Sequence, residues 1–113
     1  MKNNNLTWFD FEKVEMRVGT IFKASVFKKA NKPAYILEID FGDTIGIKKS
    51  SAQITERYSM EDLIGKQIIA VVNFPVKQIA NLQSECLVLG AVDGSLVVLI
   101  NPEDRVKNGL RIG

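Results

Sequence analysis

From Val14 to Phe27 apolar and polar residues alternate with a period of two: Val14, Met16, Val18, Phe22, Ala24 and Val26 share one face, and Glu15, Arg17, Lys23 and Ser25 the other. Successive side chains of an extended chain point to opposite faces, so this period predicts one long half-buried strand. Gly19 in its middle permits a sharp bend. A basic turn, Lys28–Lys32, ends at Pro33, and alternation resumes over Ala34–Phe41 with Tyr35, Leu37, Ile39 and Phe41 inward and Glu38 and Asp40 outward. Gly42-Asp43 predicts a turn. A third strand then runs through Ile45 and Ile47 into the polar run Lys48–Thr55. Ser59, with Asp62 three residues later and Gly65 beyond, marks the start and stop of a short helix. The apolar runs Gln67–Phe74 and Glu85–Val92 predict two buried strands joined by a polar loop. Asp93-Gly94 closes a hairpin onto Leu96–Ile100, and Asn101–Gly113 reads as loop with Val106, Leu110 and Ile112 as apolar handles.

At the other end, Met1–Asn5 is a polar tail and Thr7 caps a helix over Trp8–Lys13, with Asp10 at its third position and Leu6 placed to staple onto Phe11. Trp8, Phe9 and Phe11 lie on several sides of that helix. One short helix can hardly bury all three, so either the surplus contacts a second subunit or all three lid the core. A long bent strand, two more strands, a short helix and two closing strands is the order of an OB-fold barrel. The expectation is therefore an all-β protein with two short helices. It has one domain over residues 1–113, a core at about 14–92 and extensions at 6–13 and 95–113.

Composition narrows the chemistry. The chain has 113 residues, 46% of them hydrophobic and 25% charged, which is the profile of an ordinary globule. A net charge of +2 does not by itself mark a nucleic-acid binder. Residues 17–57 nevertheless hold eight basic side chains against four acidic ones, which predicts a modestly positive face. There is no histidine, and the single cysteine, Cys86, sits in an apolar run and reads as a core residue. A metal site and a disulfide framework are both excluded. Gly65-Lys66 ends like a phosphate-binding loop but lacks the upstream glycine. Ser50 and Lys49 are strand neighbours that point apart, so they make no nucleophile–base pair. We expect no enzyme, no catalytic residue, no cofactor and no metal. No apolar run approaches membrane-spanning length and no signal-like segment is visible, so the expected location is cytoplasmic.

What remains is binding. Asn73, Lys77, Gln78, Asn81, Gln83, Ser84 and Glu85 cluster in the loop between the last two long strands and its flanks, where two buried strands hold them in fixed positions. Lys48, Lys49, Ser50, Ser51 and Gln53 bring ammonium groups, hydroxyls and an amide together, a set suited to phosphate and ribose oxygens. The strand aromatics Phe22, Tyr35 and Phe41 are in phase with the core. That favours a structured RNA read by shape and backbone over a single strand stacked on aromatics.

The stretches DFEKVEMRVGTI, IDFGDTIGIKKSSAQIT and LIGKQIIAVVNFPVKQI, with SECLVLGAV, resemble the CsaA family of small export-related chaperones. More distantly they resemble the tRNA-binding modules attached to some methionyl- and tyrosyl-tRNA synthetases. The similarity covers roughly Phe11 to Gly109, and it rests on RVG, SSAQIT, VVNFP and SExLVLG in order and at matching spacing. The resemblance implies an OB-fold homodimer whose two extensions form the interface, here Trp8, Phe9, Phe11, Val106 and Leu110. It implies tRNA binding through Arg17, Lys48, Ser50, Ser51, Gln53, Asn73, Lys77, Gln78, Ser84 and Glu85. It also implies binding of unfolded polypeptides in protein export, with Phe74 and Ile79 as candidates. The alternative is an RNA-binding module with no chaperone role.

Overall fold

The computed structural model describes residues 4–113, so the first three residues of the expected polar tail lie outside the described ones. Helix α1 covers Trp8–Glu12, and the Thr7 hydroxyl accepts the Asp10 N–H at 3.0 Å as its cap. Five strands form one antiparallel sheet. They are β1 Met16–Val26, β2 Tyr35–Asp40, β3 Ile47–Ala52, β4 Gln67–Val71 and β7 Leu87–Val88, in the order β3-β2-β1-β4-β7. The sheet curls until its edges nearly meet. Two residues before β7, Glu85 N–H donates to Lys49 O at 2.8 Å, and Lys49 N–H donates to the Glu85 carboxylate at 3.0 Å. Helix α3, Met60–Leu63, lies between β3 and β4 with a full capping box from Ser59 and Asp62, and Gly65 follows it at φ +85°. This nearly closed five-stranded barrel is an OB-fold.

The core is built from the inward rows. Ile21, Leu37, Ile39, Phe41, Ala52, Leu63, Ile68 and Ala70 pack together with Tyr58 and Cys86. Gly19 is required by space rather than by bending: a Cβ there would stand 2.6 Å from the Ile39 side chain and 2.7 Å from the Phe41 ring. The bend comes just after it. Ile21 pairs with Ile39 and Lys23 with Glu38, so Phe22 is an extra residue with no partner in β2. This β-bulge shifts the phase of the strand. Ile21, not Phe22, enters the core, and Phe22 and Val26, expected inside, are exposed.

Other expectations are corrected by local geometry. Gly42–Ile45 is a short helix, α2, rather than a simple turn. The expected fourth strand stops at Val71. The expected fifth strand is two pieces: β7, and β8 Gly90–Asp93, which turns away at Leu89 to pair with β9 Leu96–Leu99 through the predicted Asp93-Gly94 turn. The polar loop contains its own hairpin, β5 Lys77–Ile79 and β6 Leu82–Ser84, turned by Ala80 at φ +49°.

The segment after β9 is not loose. Its residues run along the free edge of the first half of β1, where Gly109 N–H donates to Val18 O at 2.7 Å and Ile112 N–H to Met16 O at 2.9 Å. The buried Gln67 side chain ties it down further, donating to Val106 O at 2.7 Å and accepting Val106 N–H at 3.0 Å. Thr20 adds a hydroxyl donated to Asn108 Oδ1 at 2.7 Å.

Candidate functional site

The β5–β6 hairpin is positioned by a second, smaller apolar cluster. Leu82 and Ile79 pack with Phe27, Ala34 and Ile36, which fixes the hairpin to the outer side of the barrel beside the β1–β2 turn. Between this hairpin, β3 and β7 lies a recess of about 300 Å³ lined by Ser51, Phe74, Pro75, Lys77, Ile79, Ser84, Cys86 and Leu87. One side is polar: Ser84 and Lys77 are register partners, and the Ser84 hydroxyl accepts the Ser51 N–H at 3.3 Å. The other side is apolar, with Phe74 and Leu87 each about half exposed. An amphipathic recess beside a cation can hold either a sugar–phosphate edge or an apolar side chain.

Burial, more than any neighbouring charge, pushes the Cys86 thiol up to about 11. At neutral pH it is a protonated lining group, not a nucleophile.

The remaining predicted residues divide by what their polar atoms already do. Ser50 is 1% exposed and its hydroxyl donates to Cys86 O at 2.9 Å, inside the barrel. Lys49 and Glu85 close the barrel through the bonds described above, and the Lys49 side chain stays outside. Asn73 holds the segment after α1: its amide donates to Lys13 O at 2.6 Å and its oxygen accepts Glu15 N–H at 3.0 Å. Gln78 donates to Ala80 O at 2.9 Å and braces the hairpin turn. Arg17 lies elsewhere, donating to Gly109 O at 3.1 Å and to Glu15 at 2.7 Å. That hydrogen bond holds the Glu15 carboxyl below its ordinary value. Gln53 lines a separate groove with Lys32, Thr55 and Val92. The structure thus gathers Ser51, Lys77, Ser84, Phe74 and Ile79 and leaves Arg17, Gln53 and Asn73 apart. Pro75 and Leu87 were missed, because both read as scaffold when no hairpin is foreseen between them.

Around the extensions, Trp8 is 85% and Phe9 69% exposed, Leu110 is exposed, and Phe11 and Val106 are half-buried. Leu6, expected as a staple, is also exposed. Val92, expected in a buried strand, and Leu96 and Val98 of the β8–β9 hairpin, with Ile100 just after it, add exposed apolar surface.

Among the described residues, no group of three or more histidine, cysteine or acidic side chains could hold a metal, and no helix is long and apolar enough to cross a membrane. Residues 16–111 match the family described as "Putative tRNA binding domain". The crystal structure of the chaperone CsaA of Picrophilus torridus is 55% identical, with a TM-score of 0.92, over 96% of this chain and 100% of that one. That of Bacillus anthracis str. Ames is 51% identical, also at 0.92, over 96% and 99%. The methionine–tRNA ligase of Thermococcus kodakarensis is 29% identical over 111 residues, 98% of this chain and 15% of the enzyme. The chain therefore spans about 15% of the length of such curated relatives and matches only a portion of each.

Proposed function

This chain belongs to the tRNA-binding domain family, and from that premise we propose that it is a non-catalytic docking protein for tRNA and for unfolded polypeptide. The observation that carries the reading is the recess beside the β5–β6 hairpin, where Ser51, Lys77 and Ser84 face the apolar wall of Phe74, Pro75, Ile79 and Leu87. In this reading Lys77, with Lys49 outside β3, neutralises backbone phosphates while the hydroxyls meet ribose oxygens. Gln53 extends the surface beyond β3, while Lys48, register partner of the buried Ile39, lies on the other face of the strand from Lys49. Ser50, Asn73, Gln78 and Glu85 act by holding strands and hairpin in place, and Arg17 by fixing the C-terminal segment. The apolar wall takes side chains of an unfolded polypeptide, and the chaperone likeness of the two crystal structures supports that half. The export role expected from the CsaA resemblance and a cytoplasmic location belong to the same proposal.

The protein works as a homodimer in this reading, through α1 and the β8–β9 hairpin, whose exposed apolar side chains the described residues leave uncovered. The deciding experiment is a salt titration of two complexes, one with bulk tRNA and one with a denatured protein. With roughly 3–5 phosphate contacts, tRNA affinity falls steeply as salt rises. Polypeptide binding through apolar burial is nearly insensitive to salt and has a negative heat-capacity change. Lys77→Glu weakens the tRNA complex, flattens its salt slope by about one or more contacts and leaves thermal unfolding unchanged. Unaltered tRNA affinity in that variant would remove the hairpin from the interface.

A further inference from the structure

The bulge in β1 creates a surface that the alternation of the strand conceals. Cross-strand partners point to one face, and Thr20 pairs with Asp40, which pairs with Ile47. These three form a row on the outside of the barrel. The next row is Lys23, Glu38 and Lys49, with the Lys23 ammonium 3.5 Å from the Glu38 carboxylate. Phe22, the unpaired bulge residue, stands between the rows. With Ile47, Arg105, Asn108, Thr20 and Asp40 it lines a recess of about 320 Å³. Phe22 is 44% and Ile47 59% exposed, so two large apolar side chains flank an open polar floor. Arg105 is anchored there by a bond from its guanidinium to Gly65 O at 3.0 Å, and one Asp40 oxygen accepts Gly42 N–H at 2.8 Å.

We propose that this recess captures one unpaired base of a bound RNA, stacked on Phe22 and edged by Arg105, Asp40 and Asn108. The inference rests on the tRNA-binding reading above. Its chemistry suits a nucleobase: an aromatic face and a guanidinium offer stacking planes, while the second Asp40 oxygen can accept from a base edge and the Asn108 amide N–H can donate to it, the Asn108 oxygen being taken by the Thr20 hydroxyl and the Gln67 amide. Lys23 and Lys49 lie in the adjoining row, where the backbone on either side of a splayed base would run. A plain apolar side chain from a polypeptide would leave that polar rim unmatched. Sequence alternation placed Phe22 in the core and so argued against base stacking. The bulge reverses that argument.

The test compares bulk tRNA with a blunt RNA duplex that has no unpaired base, using wild type, Phe22→Ala, Phe22→Trp, Ile47→Glu and Lys77→Glu. Phe22→Ala should weaken tRNA binding about tenfold, the loss expected for one stacked base, with an unchanged salt slope. Ile47→Glu, on the opposite wall, should also weaken tRNA binding, with a salt slope altered by its added charge. Phe22→Ala should leave the duplex affinity unchanged. Phe22→Trp should keep tRNA affinity and show indole quenching on tRNA addition beyond that of wild type. If Phe22→Ala and Ile47→Glu bind tRNA within about twofold of wild type while Lys77→Glu does not, the recess is overturned and the tRNA reading stands. Quenching of the Phe22→Trp indole by denatured protein but not by tRNA would overturn it in favour of a polypeptide occupant. If wild type fails to bind tRNA at low salt, the tRNA reading falls and this inference falls with it.

Discussion

The two extensions of the barrel, expected from sequence to share one role, are built in opposite ways. The C-terminal segment is sewn to the barrel by polar bonds: Gln67 grips both backbone groups of Val106, and residues 109–112 add a short antiparallel edge to β1. The N-terminal helix is tied down by few bonds, chiefly Asn73 of the barrel to Lys13 O and Arg111 of the other extension to Glu12 O at 2.6 Å, and turns Trp8 and Phe9 to solvent. One extension completes the fold of its own chain. The other leaves Trp8 and Phe9 uncovered by the described residues. The difference is visible in residue type, since buried amides need partners of fixed geometry whereas exposed aromatics accept any apolar cover.

The sharpest way to break this contrast is at Gln67. Gln67→Leu leaves Val106 N–H and C=O without partners and should cost about 2–3 kcal/mol in urea unfolding. A loss below about 0.5 kcal/mol, the scale of an ordinary surface change, would show that the tail is not held by this clamp.

Next in size is the helix. Trp8→Asp with Phe9→Ser should abolish self-association in sedimentation velocity, since central aromatics commonly contribute about 2 kcal/mol or more each to an interface. The secondary structure by circular dichroism should be unchanged. A dimer that survives the double substitution would move the interface entirely to the β8–β9 hairpin.

The smallest effect lies where the two extensions meet, at Arg17. The hydrogen bond from Arg17 holds the Glu15 carboxyl of the folded protein below the usual carboxylate range. A depressed carboxyl contributes stability that is present above its unfolded value and is lost as pH falls through the folded one. Glu15→Gln should therefore be slightly less stable than wild type at neutral pH and equal to it in acid, as read by thermal melts. Equal melts at every pH would mean that the exposed pair contributes nothing.

Much of the barrel was legible because its signals are local. Thr7, Ser59 with Asp62, Gly65 and Asp93-Gly94 each act through the few residues beside them, and each does in the structure what its chemistry predicts. Features set by tertiary pairing were hidden. Ile21 and Phe22 are both apolar, so nothing local says which of them enters the core, and a one-residue bulge decides it. Ala80-Asn81 is not a common hairpin pair, so β5 and β6 passed for loop. Ser50 looked like part of a polar ribbon and proved to be interior, while Gln67 looked like a strand start and proved to be the clamp of a distant segment. At the candidate site the pattern named the stretch of chain that lines the recess but could not separate side chains that face the recess from those that hold the backbone.

The pairing of β1 with residues 109–112 has a consequence for how the molecule is made. The strand that is synthesised first among the barrel strands has half of one edge unfilled until residues 109–112 have also left the ribosome. Contacts of such long sequence separation form slowly. A nascent chain would meanwhile present that open edge, a template for wrong pairing. Synthesis of this barrel thus ends by fastening its beginning.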